Sequence, residues 1–68
     1  MNNQEQRILK YIEDHGSITA LDAMRDIGVM RLSSRISEMR RKGINIQQRK
    51  EQTENRYGER CNIVRYWL

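Results

Sequence analysis

The chain has 68 residues, enough for one domain near the lower limit at which a core stands without disulfides or metals. With 37% hydrophobic residues and no Phe, that core must come from Ile, Leu, Met, Val and a few aromatics, which leaves nothing over for an enclosed substrate cavity. A net charge of +4 favours an anionic partner, and the single cysteine, Cys61, rules out an intramolecular disulfide.

Charges interrupt every apolar window, so no segment is predicted to span a bilayer. The start Met1-Asn2-Asn3-Gln4-Glu5 is too polar for a signal peptide. The expectation is a soluble cytoplasmic protein with no membrane partner. Charge is also sorted along the chain. Residues 1–30 hold three Lys/Arg against five Asp/Glu, whereas residues 31–68 hold ten against four.

From Asn3 to His15, Ile8, Leu9 and Ile12 recur at i, i+1 and i+4, the stripe of a helix with one buried face. Asn2 or Asn3 is suited to cap its start and Gly16 to end it. Ser17-Ile18-Thr19 is long enough only for a linker or a one-bridge strand burying Ile18. Thr19 then opens a second helix, with Asp22 where a capping-box acid belongs. Leu21, Met24 and Ile27, with Ala20 and Ala23, are expected on its inner side, and Gly28 breaks it.

A third helix is predicted from Met30 or Arg31 to Gly43. Leu32, Ile36 and Met39 recur at i, i+4 and i+7 and point inward with Val29. The opposite side carries Ser34, Ser37, Glu38 and Arg41, with Met30 and Arg31 at its leading end and Arg35 and Arg40 on the flanks. From Ile44 the period changes to two. Ile44-Asn45-Ile46-Gln47 and Val64-Arg65-Tyr66-Trp67-Leu68 read as strands, with Val64, Tyr66 and Leu68 facing the core. Asn55-Arg56-Tyr57-Gly58 supplies the turn between them, giving a hairpin whose tip projects into water.

Three helices followed by a β-hairpin, with a tight turn before the third helix, is the order of a winged helix-turn-helix, an α+β fold occupying residues 1–68 as one domain. Such a helix lies in the major groove of DNA, where base edges differ in donor and acceptor pattern. Arg31, Ser33, Ser34, Arg35, Ser37, Arg41 and Lys42 are the candidate contacts on the helix; small serines permit close approach and arginine can grip guanine. Glu38 can accept from cytosine or pair with a neighbouring cation, and pairing is the favoured reading. On the hairpin the candidates are Arg49, Lys50, Arg56, Tyr57 and Arg60, placed to meet phosphate or enter a minor groove. Glu51, Glu54 and Glu59 leave open the plainer alternative of a charged, solvated ribbon. His15 and Cys61 read as a helix-end residue and a small strand residue. Trp67 either folds over the first helix or forms a subunit contact.

These residues together resemble a family of small helix-turn-helix domains found mostly in bacteriophages and prophages. The likeness rests on His15-Gly16-Ser17-Ile18-Thr19, on Arg31-Leu32-Ser33-Ser34-Arg35-Ile36-Ser37-Glu38-Met39-Arg40, on Gly43 with Ile46, and on Asn55-Arg56-Tyr57-Gly58 followed by Arg65-Tyr66. It covers about Ile8 to Leu68. Met39 stands where leucine is expected, and Trp67 where a polar residue is commoner. The resemblance implies a winged-helix fold and a DNA-binding role in the cytoplasm of a bacterial host.

Within that role a transcriptional regulator and an accessory factor of excision or replication remain open. A weak homodimer, or assembly on DNA half-sites, is expected because one small module buries little DNA surface. The alternative is a host-directed inhibitor or adaptor that binds a protein through the same fold. Duplex RNA is a further alternative to double-stranded DNA. One histidine, one cysteine and no glycine-rich phosphate loop give no basis for catalysis, a cofactor, a metal or a small-molecule substrate.

Overall fold

A computed structural model describes residues 3–68. Helix α1 (Asn3–His15) leads into a short strand β1 (Ile18–Thr19), helix α2 (Ala20–Asp22) with a π-helical continuation (Ala23–Ile27), helix α3 (Leu32–Arg41), and strands β2 (Gln47–Glu54) and β3 (Arg60–Trp67). The antiparallel sheet has the order β1-β3-β2. Asn3 is already helical, and the alternative cap, Asn2, lies outside the described residues.

One face of α1 buries Glu5, Ile8 and Ile12, spaced i, i+3 and i+7. The inward stripe of α3 is Leu32, Ile36 and Met39, as its period requires, and Val29 joins it from the turn. Ile18, Ala23, Ile46 and Tyr66 complete the core. Ile18 sits opposite Tyr66 and Thr19 opposite Arg65, so β1 serves both as a minimal strand and as the lead into α2.

Thr19 fixes that junction. The Asp22 N–H donates to Thr19 Oγ1 at 3.2 Å while the Thr19 N–H donates to the Asp22 carboxylate at 3.1 Å, a reciprocal cap. The helix then widens. The Gly28 N–H reaches back to Ala23 O across five residues, and Val29 N–H shares that carbonyl at 2.9 Å. Gly28 ends the segment at φ 70°, a left-handed conformation that side-chain-bearing residues adopt at a cost.

This widening corrects the sequence reading of the second helix. Leu21 and Met24 are exposed, at 58% and 47%, and Ala20 is exposed too; only Ala23 and half-buried Ile27 turn inward. Leu21 lies two residues, about 200°, from inward Ala23 on the helix, and the i→i+5 turn, which holds more residues, carries Met24 away from Ile27.

Two strand expectations also change. β2 begins at Gln47, so Ile44 and Ile46 pack from the preceding connection rather than from a strand. Leu68 lies beyond β3 and is 56% exposed, while Val64 and Tyr66 do face the core. The long hairpin extends the molecule to 39 Å along one axis against 20 Å across. At its tip Asn55 Oδ1 accepts from the N–H groups of Tyr57 and Glu59, and Gly58 is left-handed at φ 76°. No helix among the described residues is long and apolar enough to cross a membrane.

Polar contacts tie α1 to the π-helical segment. Tyr11 donates to Asp26 at 2.7 Å, and Arg25 donates to both Asp26 oxygens and to Asp22. Arg25 first, then Tyr11, hold the Asp26 carboxyl down to about 2 from its ordinary 3.8. A carboxyl depressed on folding contributes stability that is present above its unfolded value and lost as pH falls through its folded one. The expected outcome is that Asp26→Asn flattens the loss of stability between about pH 4 and pH 2. Urea midpoints of wild type and variant across that window measure it; parallel curves would show that the clamp is not coupled to folding.

Candidate nucleic-acid interface

The exposed side of α3 carries Ser33, Ser37 and Arg41 at intervals of four, with Ser34 partly buried beside them. Arg31 stands immediately before the helix and is exposed. Arg41 and Arg40 occupy its last turn, where the carbonyl end of the helix favours cations. The serines keep this surface low, and a duplex can approach the backbone closely along it.

Some of the expected cations are already engaged. Lys42 donates to both oxygens of Glu5, at 3.0 and 2.8 Å, and Glu5 is fully buried. Arg35 pairs with Glu38 at 3.2 Å, the pairing favoured for that glutamate. Arg40 donates to the Ile46 carbonyl from Nε and Nη2. Lys42 therefore braces the protein's own scaffold while its side chain stays half exposed.

Register divides the wing into two faces. Lys50 lies opposite Val64 and Arg60 opposite Glu54, on the same side as the core residue Tyr66. Arg49 lies opposite Arg65 on the other side, among Glu51 and Trp67. Arg49 and Lys50 are neighbours in sequence but are not brought together in space. Arg56 and Tyr57 are exposed at the tip.

The outer face is a closed ladder. Glu51 accepts from Arg65 at 2.9 Å and Arg49 at 2.6 Å, and Arg65 also donates to Ser17 at 3.0 Å. Arg65 and then Arg49 hold Glu51 below the usual carboxylate range. The Arg49 guanidinium also lies over the Trp67 ring, 5.9 Å from its centre. Trp67 is thus half-buried under an arginine of its own sheet.

Between the start of α3 and β3 runs a groove of about 580 Å³. Arg31 and Ser33 line one wall, Asn62 and Val64 the other, and Leu21 and Met30 lie between. Helix and wing therefore border one concave surface. Among the described residues, the cations without an ion pair or side-chain hydrogen bond are Arg7 on α1 and Arg31, Arg41, Lys50, Arg56 and Arg60. Five of these six lie beside α3, within it or on the wing.

The description "winged helix-turn-helix domain" matches residues 3–68. The chain belongs to that family. No curated protein and no solved structure matches it. The winged-helix elements are all present: the turn at Gly28, the third helix, and the hairpin with Arg56 and Tyr57 exposed at its tip. Sequence reasoning missed the roles of Glu5 and Arg40, whose partners lie far along the chain or on the backbone and leave no local signal.

The Glu5–Lys42 pair joins α1 to the end of α3 across 37 residues. Lys42→Met strips these bonds from a buried carboxylate, so a loss of about 1–3 kcal/mol is expected. Adding Glu5→Leu should recover part of it, because a buried carboxylate costs more to keep in an apolar core than an apolar side chain of similar volume. Denaturant unfolding of both variants tests this; a double variant no more stable than Lys42→Met would contradict it.

Proposed function

We propose that this winged helix binds double-stranded DNA, with α3 in the major groove and the β2–β3 hairpin against the adjacent backbone. The observation that supports the reading is the set of unengaged cations at α3 and on the wing, of which Arg31 lines a groove that both elements share. Phosphate contacts set position, and base contacts set sequence. Arg31, Lys50, Arg56 and Arg60 fit the first role. Ser34, Ser37 and Arg41 fit the second, with Arg41 able to address guanine through two hydrogen bonds.

The finer reading is a phage or prophage regulator of transcription, or an accessory factor of excision or replication, working in the bacterial cytoplasm. Its support is the sequence resemblance described above. Recognition by one module buries only about 600–1,000 Å² of protein surface, so two copies on neighbouring half-sites suit a specific regulator. A second reading, a protein-binding inhibitor or adaptor, draws support from Leu21 and Met30, apolar side chains exposed at 58% and 73% in the groove. A Leu21→Ser, Met30→Ser double variant that keeps full DNA affinity but loses a protein partner would favour that reading.

The four cations assigned to phosphate correspond to a slope of about −3.6 for log K against log salt on B-form DNA, steepening to about −4.5 with Arg41 counted. Arg56→Ala should make that slope shallower by about 0.9 and weaken all sequences alike. Arg41→Ala should instead relax base preference in selected binding sites, at a cost of about 1–3 kcal/mol on the preferred sequence. Fluorescence anisotropy over a salt series, with site selection from a random duplex pool, checks all three. A slope near zero would overturn the DNA reading, and stronger binding to duplex RNA of matched length would redirect it.

A further inference from the structure

We propose that Arg40 is a positioning residue that sets the angle between α3 and the wing, and through that angle the sequence discrimination of the domain. The second part of the statement rests on the DNA-binding reading; the first does not. Arg40 is an exposed residue in the last turn of α3, where a basic side chain would ordinarily be read as one more phosphate contact. Its guanidinium is turned elsewhere. Nε and Nη2 donate to the carbonyl of Ile46, at 3.1 and 2.8 Å, and the same group lies 6.0 Å from the centre of the Tyr66 ring.

Both anchors are rigid. Ile46 is the last residue before β2 and its side chain is buried in the core. Tyr66 is buried on the central strand, paired with Ile18 on one side and Gln48 on the other. One side chain therefore links α3, the point where the chain enters the wing, and the strand that every other strand pairs with. The contact crosses the connection from Lys42 to Ile46, which includes Gly43 at φ 95°. Backbone bonds from Gly43 to Arg40 O and from Ile44 to Met39 O close the helix end, but they hold the connection only as far as Ile44.

A lysine cannot replace this group. The guanidinium presents two N–H donors in one plane and a flat face to an aromatic ring, whereas an ammonium is a point charge on a flexible stem. A guanidinium whose Nε and Nη2 are spent on a protein carbonyl is turned away from the direct phosphate contact its place on α3 suggests. That separates a positioning role from a contact role.

The test uses the full chain with Arg40→Met and Arg40→Lys, read in three ways. In duplex binding, both variants should keep the wild-type salt slope. Both should also lose roughly three- to tenfold in the ratio of affinity for a selected site over a scrambled duplex. In the free proteins, residual dipolar couplings of β2–β3 amides relative to α3 amides should report one fixed angle in wild type and averaging in the variants. Unchanged amide patterns within α3 and within the sheet show that each element remains folded. A slope shallower by about 0.9 in Arg40→Met would make Arg40 a phosphate contact and overturn the proposal. So would an unchanged affinity ratio, or couplings equal to wild type. If the wild type binds no duplex, the DNA reading fails separately, and the couplings alone decide whether Arg40 fixes the angle.

Discussion

A carboxylate inside an apolar core must have its charge answered there, and Glu5 lies at zero exposure among the packing residues of α1. Lys42 supplies that answer from just beyond the end of α3. The pair reaches in from a half-exposed lysine and fastens the first helix to the third at the end where the chain turns toward the wing. Hydrophobic contact between α1 and α3 sets their distance but is non-directional. The ion pair adds a fixed point, and the outward face of α3 is set relative to that point.

The same logic runs through the basic half of the chain. Its ten Lys/Arg look equivalent in sequence. In the fold they divide into groups with different work. Lys42, Arg40, Arg49 and Arg65 brace α1, α3, the wing and the β1 turn through Glu5, the Ile46 carbonyl, Glu51 and Ser17. Arg35 answers Glu38 on its own helix. Arg31, Arg41, Lys50, Arg56 and Arg60 are left for an outside anion. The acids of the wing are divided too. Glu51 holds the outer face together, while the tip beside Arg56 is shaped by Asn55 and Gly58. A ribbon with alternating charges is therefore braced on its outer face and presents Arg56 at its tip.

The sequence made legible whatever depends on local periodicity. Leu32, Ile36 and Met39 could be placed because an α-helix repeats on a fixed angle, and Thr19 with Asp22 because a capping box spans three residues. Tyr66 and the tip at Asn55-Gly58 followed from strand alternation and turn chemistry. Leu21 was misplaced because Ala23 takes the inner side of a short helix, and Met24 because a π-helical turn changes the angle without changing the composition. Ile44 and Ile46 alternate like strand residues, yet the chain pairs only from Gln47 onward. For the interface, the residue types and the two elements were legible, but the split between engaged and free cations was not. The partners lie 37 residues away for Lys42 and 48 for Arg65 with Ser17, and for Arg40 the partner is a carbonyl.

That division of the cations is the central claim, and arginine side-chain NMR tests it directly. In a titration of the protein with duplex DNA, the Nε–H signals of Arg31, Arg41, Arg56 and Arg60 should move. Those of Arg25, Arg40 and Arg65, already donating within the protein, should hold their free-state positions. Movement of Arg40 and Arg65 with the α3 and wing-tip arginines unaffected would contradict the account.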